Sequence, residues 1–511
     1  MLKLMKRFKM TMTLLTLIAA FVLAGFGVGA AAADPPRYVF LFIGDGMSFP
    51  QIMALGAYDG TVDKKFVGTL EKPTPENPPQ AELPSFVAFP VNGAVTTPDA
   101  SKFITDSASA ATAMACGVKT LDGMIGLDPA GKKHENMAER FKNKLGYKVG
   151  VITSMSLDHA TPAAFYGHLP SRSDYYGLSM ELIASGFDFF GGGGLQYPTG
   201  AKKDQPDFFE LAQKAGYNIV DTVAGIEALS GKSGKTIAIN PVLDQWACMN
   251  YAIDVKNPAE LRLKDFVRKG IEVLDNDKGF FLMVEGGKID WAAHANDAYT
   301  TILDVKELDE SIKVAVEFAK KHPEETLIVV VGDHETGGLT VGFGGLNFDT
   351  YLTRLQKQTM SYQFFTDDYV EKYRQDQPAF EEAMKDVEKC FGLIMPDSPA
   401  AQAASDPGLI LSAREVTMLK EAYASSLTPR KQRPDHKTYD YYAKYTMYTY
   451  EPFTMVITQI LSNKAGLGWT SGAHTALPVS IHALGNGAET FRGFYDNTEV
   501  FHRMMNVANI Q

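Results

Sequence analysis

RYVFLFI, residues 37–43, runs straight into Gly44-Asp45-Gly46. A continuous apolar run rich in aromatic and β-branched residues, with no polar alternation, reads as a strand buried on both faces. Residues 147–153, 279–284 and 326–331 have the same character. Helical patterns lie between them, clearest over 258–274 and 297–321. Strands alternating with helices predict an α/β fold: a mostly parallel central sheet with helices on both faces. In such sheets ligands collect outside the carboxyl ends of the strands. The residues that end these strands are Asp45, Glu285, Asp333 and His334, and all four are potential metal ligands.

The rest of the chain is consistent with one large core. At 511 residues and 45% hydrophobic content it can bury a single α/β core with insertions or two smaller ones, and disorder and collagen-like repeats are excluded. The first 33 residues stand apart. Lys3, Lys6, Arg7 and Lys9 precede an apolar run over about 12–28, and Ala31-Ala32-Ala33 closes it. This is the order of a secretory signal peptide cleaved after Ala33, which predicts an exported protein, periplasmic or secreted, with no stable membrane span after cleavage. An uncleaved anchor is the alternative, because the run is nearly long enough to cross a bilayer. Losing four positive charges takes the formal balance from −11 to −15, which argues against nonspecific binding to nucleic acid or anionic lipid. Cys116, Cys248 and Cys390 form no C-x-x-C pair, so neither a thiolate zinc site nor a dense disulfide scaffold is indicated.

Two segments read as irregular surface connections: the Pro-rich stretch 72–84 and the glycine run Gly191 to Gly194. Over about 346–462 the sequence becomes polar, helical and Tyr-rich, with Tyr439, Tyr441, Tyr442, Tyr445, Tyr448 and Tyr450 close together. This predicts an insertion packed over the sheet within a catalytic domain spanning 34–511. Ser412-x-x-Glu415 before Val416, Met418 and Leu419 is a capping box. The tyrosines read first as packing; a wall contacting a leaving group or a second subunit is the sharper alternative. Gly231-Lys-Ser-Gly234-Lys235-Thr236 imitates a phosphate-binding loop, but its leading glycine position is Leu229, so the spacing fails.

Three motifs carry chemistry. Thr105-Asp106-Ser107-Ala-Ser-Ala-Ala-Thr-Ala pairs a capping residue with small helix formers, placing Ser107 in the first turn of a helix. Free N–H groups and the helix dipole there favour an oxyanion; taken alone, small residues at a helix start more often mean tight helix packing. Asp290-x-x-x-His294 puts both side chains on one helical face, as a metal pair requires. Asp333-His334, directly after Leu327-Ile-Val-Val-Val-Gly, ends a buried strand with two polar groups that need partners. Asp45 lies between glycines that let a ligand approach the backbone closely, although a turn aspartate is the plainer reading.

FIGDGM, TDSASAATA, HATPAAFYGH, VEGGKIDWAAH, VGDHETGG and SGAH occur in the order seen in alkaline phosphatases, over about residues 38–485. The resemblance implies hydrolysis of small phosphate monoesters through a phosphoserine, with two zinc ions and one magnesium, and suggests a homodimer. It implies that Asp290, His294 and His474 hold the first zinc, and that Asp45, Asp333 and His334 hold the second. It implies too that Asp45 bridges to the magnesium, in a site completed by Thr161 and Glu285. Ser107 is the implied nucleophile, with Ser109 a helix residue beside it, and Arg172 the implied grip on two phosphate oxygens. Two cations about 4 Å apart can clamp the attacking and leaving oxygens of an in-line displacement.

Two positions depart from the best-known bacterial pattern. His159 stands where some members carry Asp, and Trp291 where some carry Lys; the resemblance implies that both lie near the third metal or the phosphate, and direct ligation by His159 would favour zinc over magnesium there. The nearest alternatives are a phosphodiesterase of the same superfamily and an exported metal- or phosphate-binding protein without turnover. A sulfatase needs a C/S-x-P-x-R motif, which is absent.

Overall fold

The computed structural model describes residues 34–62, 80–257, 260–433 and 450–511. The expected signal segment, most of the Pro-rich stretch and Tyr439 to Tyr448 lie outside these described residues. The strands are β1 (Tyr38–Gly44), β2 (Val91–Thr96), β3 (Lys148–Thr153), β4 (Phe189–Gly192), β5 (Asn218–Val220), β6 (Thr236–Ile239), β7 (Phe280–Gly286) and β8 (Thr326–Gly332). Four two-residue strands follow, β9 (Glu335–Thr336), β10 (Thr340–Val341), β11 (Leu467–Gly468) and β12 (His474–Thr475), and then β13 (Val479–Gly485) and β14 (Gly493–Asp496).

Ten of them form one sheet in the order β14-β2-β13-β8-β1-β7-β3-β4-β6-β5. Only β13 runs against its neighbours among the described strands of this sheet; the remaining pairs are parallel. The apolar runs alternate between two cores, as a sheet covered on both faces requires. Tyr38, Phe40 and Phe42 enter one cluster with Phe266, Ile302 and Phe453, while Val39, Leu41 and Ile43 enter the other with Met114, Leu178 and Met504. The α/β expectation therefore holds, with helices on both faces.

Register is what places the site. Gly44 lies opposite Gly286 on one side and Gly332 on the other. Three central strands thus finish at one level, and Asp45 and Asp333 leave the sheet together. Glu285, one residue short of that level, is in register with Thr153 and Ile43.

Two expectations need correction. The helix expected from residue 258 begins at Leu263 and ends at Leu274: Arg262 is extended, and the Asp265 carboxylate accepts its N–H at 2.8 Å. Residues 258–259 lie outside the described residues. Gly191 to Gly194 is no surface loop. All four glycines are buried and the first two end β4. A Cβ at Gly192 or Gly193 would collide with the carbonyl oxygens of Thr153 and Met155, so these glycines permit close backbone approach.

The described part of 346–462 is mainly helical, with helices Phe380–Phe391, Ala413–Leu427 and Pro452–Ala465. Ser412 and Glu415 make the capping box. Phe453, Val456 and Ile457 join the core cluster of Ile302 and Leu308. The three cysteines are buried and unpaired. No described helix is long and apolar enough to cross a membrane.

Candidate functional site

Three clusters of ligating atoms meet where the central strands end: Asp290 with His294 and His474; Asp45 with Asp333 and His334; and Asp45 with His159 and Glu285. Each is assembled by ordinary local structure. Asp290 and His294 are one helical turn apart on the short helix Lys288–His294. Asp45 follows β1, and Gly46 behind it adopts φ 71°. A side chain at Gly46 would strike Asp290, so the group that approaches this glycine is the chain's own backbone. Gly46 N–H donates to Asp333 Oδ1 at 3.0 Å, tying the first two strand ends together.

His474 arrives from far along the sequence. Strand β12 pairs antiparallel with β9, setting His474 opposite Thr336. Glu335 locks this joint, its carboxylate accepting from Gln51 at 2.7 Å, Gly338 N–H at 3.0 Å and the Thr475 hydroxyl. The His334 and His474 rings then stack with centroids 3.6 Å apart.

The donor pattern fixes which nitrogens face the site. His294 Nδ1 lies 2.7 Å from the carbonyl oxygen of Gly472, and His474 Nδ1 2.7 Å from that of Thr105. A carbonyl only accepts, so both Nδ1 atoms carry hydrogen, and in the neutral rings both Nε2 atoms offer lone pairs. Thr336 donates its hydroxyl to Asp290 Oδ1 at 2.5 Å and lies 3.3 Å from His334 Nδ1, an arrangement that leaves His334 Nε2 a lone pair as well. Such outer partners orient metal-binding histidines.

The charges fit cations. Burial, then the neighbouring carboxylates, hold the Asp45 and Asp333 carboxyls well above their usual range, and burial pushes Glu285 up to about 7. Burial also holds the His159 and His474 imidazoles down, at about 3 and about 4. Asp45 Oδ1, Asp333 Oδ2 and Glu285 Oε1 are buried without a hydrogen-bond donor. Carboxylates gathered around nitrogen lone pairs, with acceptor atoms left over, are the donor set of a hard or borderline divalent cation. Thr161 Oγ1 adds an oxygen 3.4 Å from Asp45 Oδ2.

Ser107 opens the helix Ser107–Cys116, with Asp106 as its N-cap. Its Oγ lies 3.2 Å from His334 Nε2. Ser109 Oγ is instead occupied by Asp106 and Thr105, at 2.7 Å each, so Ser107 is the hydroxyl aimed at the metal clusters. Arg172 donates to Asp106 Oδ2 at 3.1 Å and to His159 Nε2 at 3.2 Å. Asp106 Oδ2 also accepts Gly123 N–H, and Arg172 N–H reaches the Gly123 carbonyl at 2.7 Å. Burial opposes ionisation of Asp106, but Arg172 and Ser109 outweigh it and leave the carboxyl below its usual range.

Two contributors escaped the sequence reading. Asp106 was legible as a cap and not as the anchor of Arg172. Tyr450 stacks on His294 at 5.7 Å and 21°, and aromatic clustering gave no hint of which tyrosine would do so. Trp291 meets the His159 ring edge to face at 6.0 Å, with Lys288 Nζ 5.1 Å from the indole. The remaining described histidines lie outside the clusters; His168, for example, pairs with Glu139 at 3.3 Å.

The family model for alkaline phosphatase matches residues 36–510. Alkaline phosphatase 4 of Bacillus subtilis (strain 168) is 31% identical over 477 residues, covering 91% of this chain and 87% of the relative. Among solved structures, alkaline phosphatase from Thermus thermophilus superposes with a TM-score of 0.74 at 22% identity, covering 95% of both chains. A mutant of the TAB5 enzyme, described as having Mg bound in its M3 site, superposes with a TM-score of 0.59 at 24% identity over 94% of this chain and 99% of that one.

Proposed function

The chain belongs to the alkaline phosphatase family and is a phosphatase enzyme, and from that premise we propose that it hydrolyses phosphate monoesters through a phosphoserine at Ser107. The observation that carries the reading is the placement of Ser107 Oγ, at a helix N-terminus and 3.2 Å from a histidine nitrogen of the second metal cluster. Asp290, His294 and His474 would hold one zinc, and Asp45, Asp333 and His334 the other. Asp45, Thr161 and Glu285 would hold magnesium, with His159 close enough to join them. Magnesium at the third position rests on the family resemblance, and direct ligation by His159 would favour zinc there.

When bound, the cations supply the positive charge that favours ionised serine and offsets charge on the leaving oxygen. Ser107 Oγ bonds to phosphorus as the ester P–O bond breaks and the alcohol departs; water then displaces the serine and releases phosphate. The free N–H groups at the start of the Ser107 helix favour the phosphoryl oxygens. Arg172, held in place by Asp106 and Gly123, offers a planar pair of donors to two of those oxygens. Export belongs to the same proposal, supported by the charged, apolar and small-residue order of residues 1–33. So does a homodimer, which rests on the family resemblance.

The test is hydrolysis of p-nitrophenyl phosphate by purified mature protein at alkaline pH, before and after chelation, beside bis-p-nitrophenyl phosphate. Chelator-sensitive turnover of the monoester, restored by zinc plus magnesium, is expected. Preference for the diester would move the chain to a phosphodiesterase, and inertness toward both would leave only metal binding.

A further inference from the structure

Lys288 is the first residue of the short helix that carries Asp290, Trp291 and His294. Its ammonium donates to Asp244 Oδ2 at 2.7 Å, and the two side chains are 1% and 3% exposed. Neither residue belongs to the three metal clusters. Such a pair is a poor stabilising device, because taking two charges out of water offsets most of what their attraction returns. What distinguishes this one is the pair of elements that it joins.

On the helix side, Gly287 N–H donates to Ser154 Oγ at 2.9 Å, which fixes the backbone where Lys288 begins. The ammonium lies 3.9 Å from the Tyr251 ring centroid and 5.1 Å from that of Trp291. Aromatic faces attract a cation, so Lys288 holds the Trp291 indole through its ring. The same indole meets the His159 ring at 6.0 Å, and His159 Nε2 accepts from Arg172 at 3.2 Å.

On the loop side, Asp244 Oδ1 accepts the N–H groups of Trp246 at 2.8 Å and Cys248 at 2.9 Å. Ala247 between them adopts φ 56°, a left-handed conformation unfavourable for a residue with a Cβ. Its carbonyl accepts Gly194 N–H at 2.8 Å, and the Gly194 carbonyl accepts Leu157 N–H at 2.7 Å, two residues before His159. One ion pair therefore braces both Trp291 and the segment leading to His159, whose rings meet beside Arg172.

Resting on the monoesterase reading, we propose that Lys288 and Asp244 are positioning residues, which hold Trp291 and His159 against each other and so fix the Arg172 guanidinium for the phosphoryl oxygens. They act through those two rings and not on the phosphate directly. Lys288 also bears on Asp304, but burial holds that carboxyl well above its usual range, so Asp244 is the charge that the ammonium balances. Removing both charges together therefore leaves no buried ion unpaired.

The test is the double variant Lys288→Met/Asp244→Asn of the metal-loaded full chain. Its asparagine Oδ1 keeps the Trp246 and Cys248 N–H groups, and its amide nitrogen replaces the oxygen to which Gln363 Nε2 donates at 3.2 Å. Gln363 can turn its unpartnered Oε1 to accept there. The urea midpoint should stay near that of the wild type, while the calorimetric Kd for inorganic phosphate and the KM for p-nitrophenyl phosphate both rise about tenfold, the scale of one charge-assisted contact, with kcat changed less. With Trp246 and Trp469 replaced by Phe, Trp291 is the single indole of the chain, and its emission should shift in the double variant. Unchanged Kd and KM in the folded variant, or an unshifted Trp291 spectrum, overturns the proposal. So does a weaker phosphate Kd that tracks lost zinc or magnesium in the same samples. Should the double variant not fold, Asp244→Asn alone keeps the loop caps, and an unchanged phosphate Kd in it overturns the proposal. Phosphate binding is read without turnover, so a wild type that binds phosphate but hydrolyses no ester removes the monoesterase reading while the Kd comparison still decides the role of the pair.

Discussion

His294 and His474 meet nitrogen to nitrogen, their Nε2 atoms 3.0 Å apart, while each Nδ1 faces a backbone carbonyl oxygen. Neutral imidazoles in those tautomers turn two lone pairs on each other, a contact that a proton or a metal cation must bridge. Asp290, 3.4 Å from one ring and 3.6 Å from the other, completes the set. The donorless oxygens of Asp45, Asp333 and Glu285 extend the same demand to the neighbouring positions. The centre is organised around positive charge that its side chains alone do not supply.

Removing that charge should cost stability as well as activity. A ligand that binds only the folded state stabilises it by about 2.7 kcal/mol when present at 100 times its Kd. Scanning calorimetry of chelated and zinc-plus-magnesium-loaded protein should therefore show a lower Tm for the chelated form. Thr336→Val, which removes the hydroxyl between Asp290 and His334, should weaken metal affinity by about 10- to 100-fold. Equal Tm values for the two forms would count against a metal centre here.

Asp106 joins a helix cap to the Arg172 anchor, and two substitutions separate the roles. Asp106→Asn retains an oxygen for the Ser109 N–H but loses the charge that holds Arg172. It should preserve the fold and lower kcat/KM by about tenfold or more, since hydrogen bonds to charged groups contribute about 1.5–3 kcal/mol. Asp106→Ala should also destabilise the protein by about 0.5–2 kcal/mol through the lost cap. Steady-state kinetics and urea unfolding of both variants decide it.

The strand ends were legible in sequence because continuous apolar runs stop abruptly at Asp45, Glu285 and Asp333, and Asp290 and His294 were legible because helical spacing is local. His474 was reached through family resemblance alone, since its position depends on β12 pairing with β9 across the chain. The Asp106–Arg172 contact joins residues from two separate loops, and no periodicity encodes it. Gly191 to Gly194 was misread for a related reason: a glycine cluster signals permissive backbone, but only the neighbouring Thr153 and Met155 carbonyls show that close approach, and not exposure, is its use.

His168 offers a pH dependence with a definite sign. Burial opposes its protonation, but Glu139 and Glu181 outweigh burial and raise its pKa above the usual histidine value. Its contribution to stability is fully present below the unfolded value of about 6.5 and is lost as pH rises through the folded pKa. The difference in unfolding free energy between wild type and His168→Gln should accordingly shrink toward alkaline pH. A difference independent of pH would mean that His168 acts by packing alone.

Export makes a covalent prediction. Protein recovered from the periplasm or medium of an expressing bacterium should begin at Asp34 by N-terminal sequencing. Recovery of full-length chain in the membrane fraction would identify the apolar run as a retained anchor.

The most direct test of the central claim is to trap the phosphoenzyme. Metal-loaded protein is incubated with a phosphate monoester, quenched in acid, digested and mapped by mass spectrometry. The account predicts phosphate on Ser107, with no phosphopeptide and no turnover in Ser107→Ala. Phosphate on another residue, or full activity in Ser107→Ala, would contradict it.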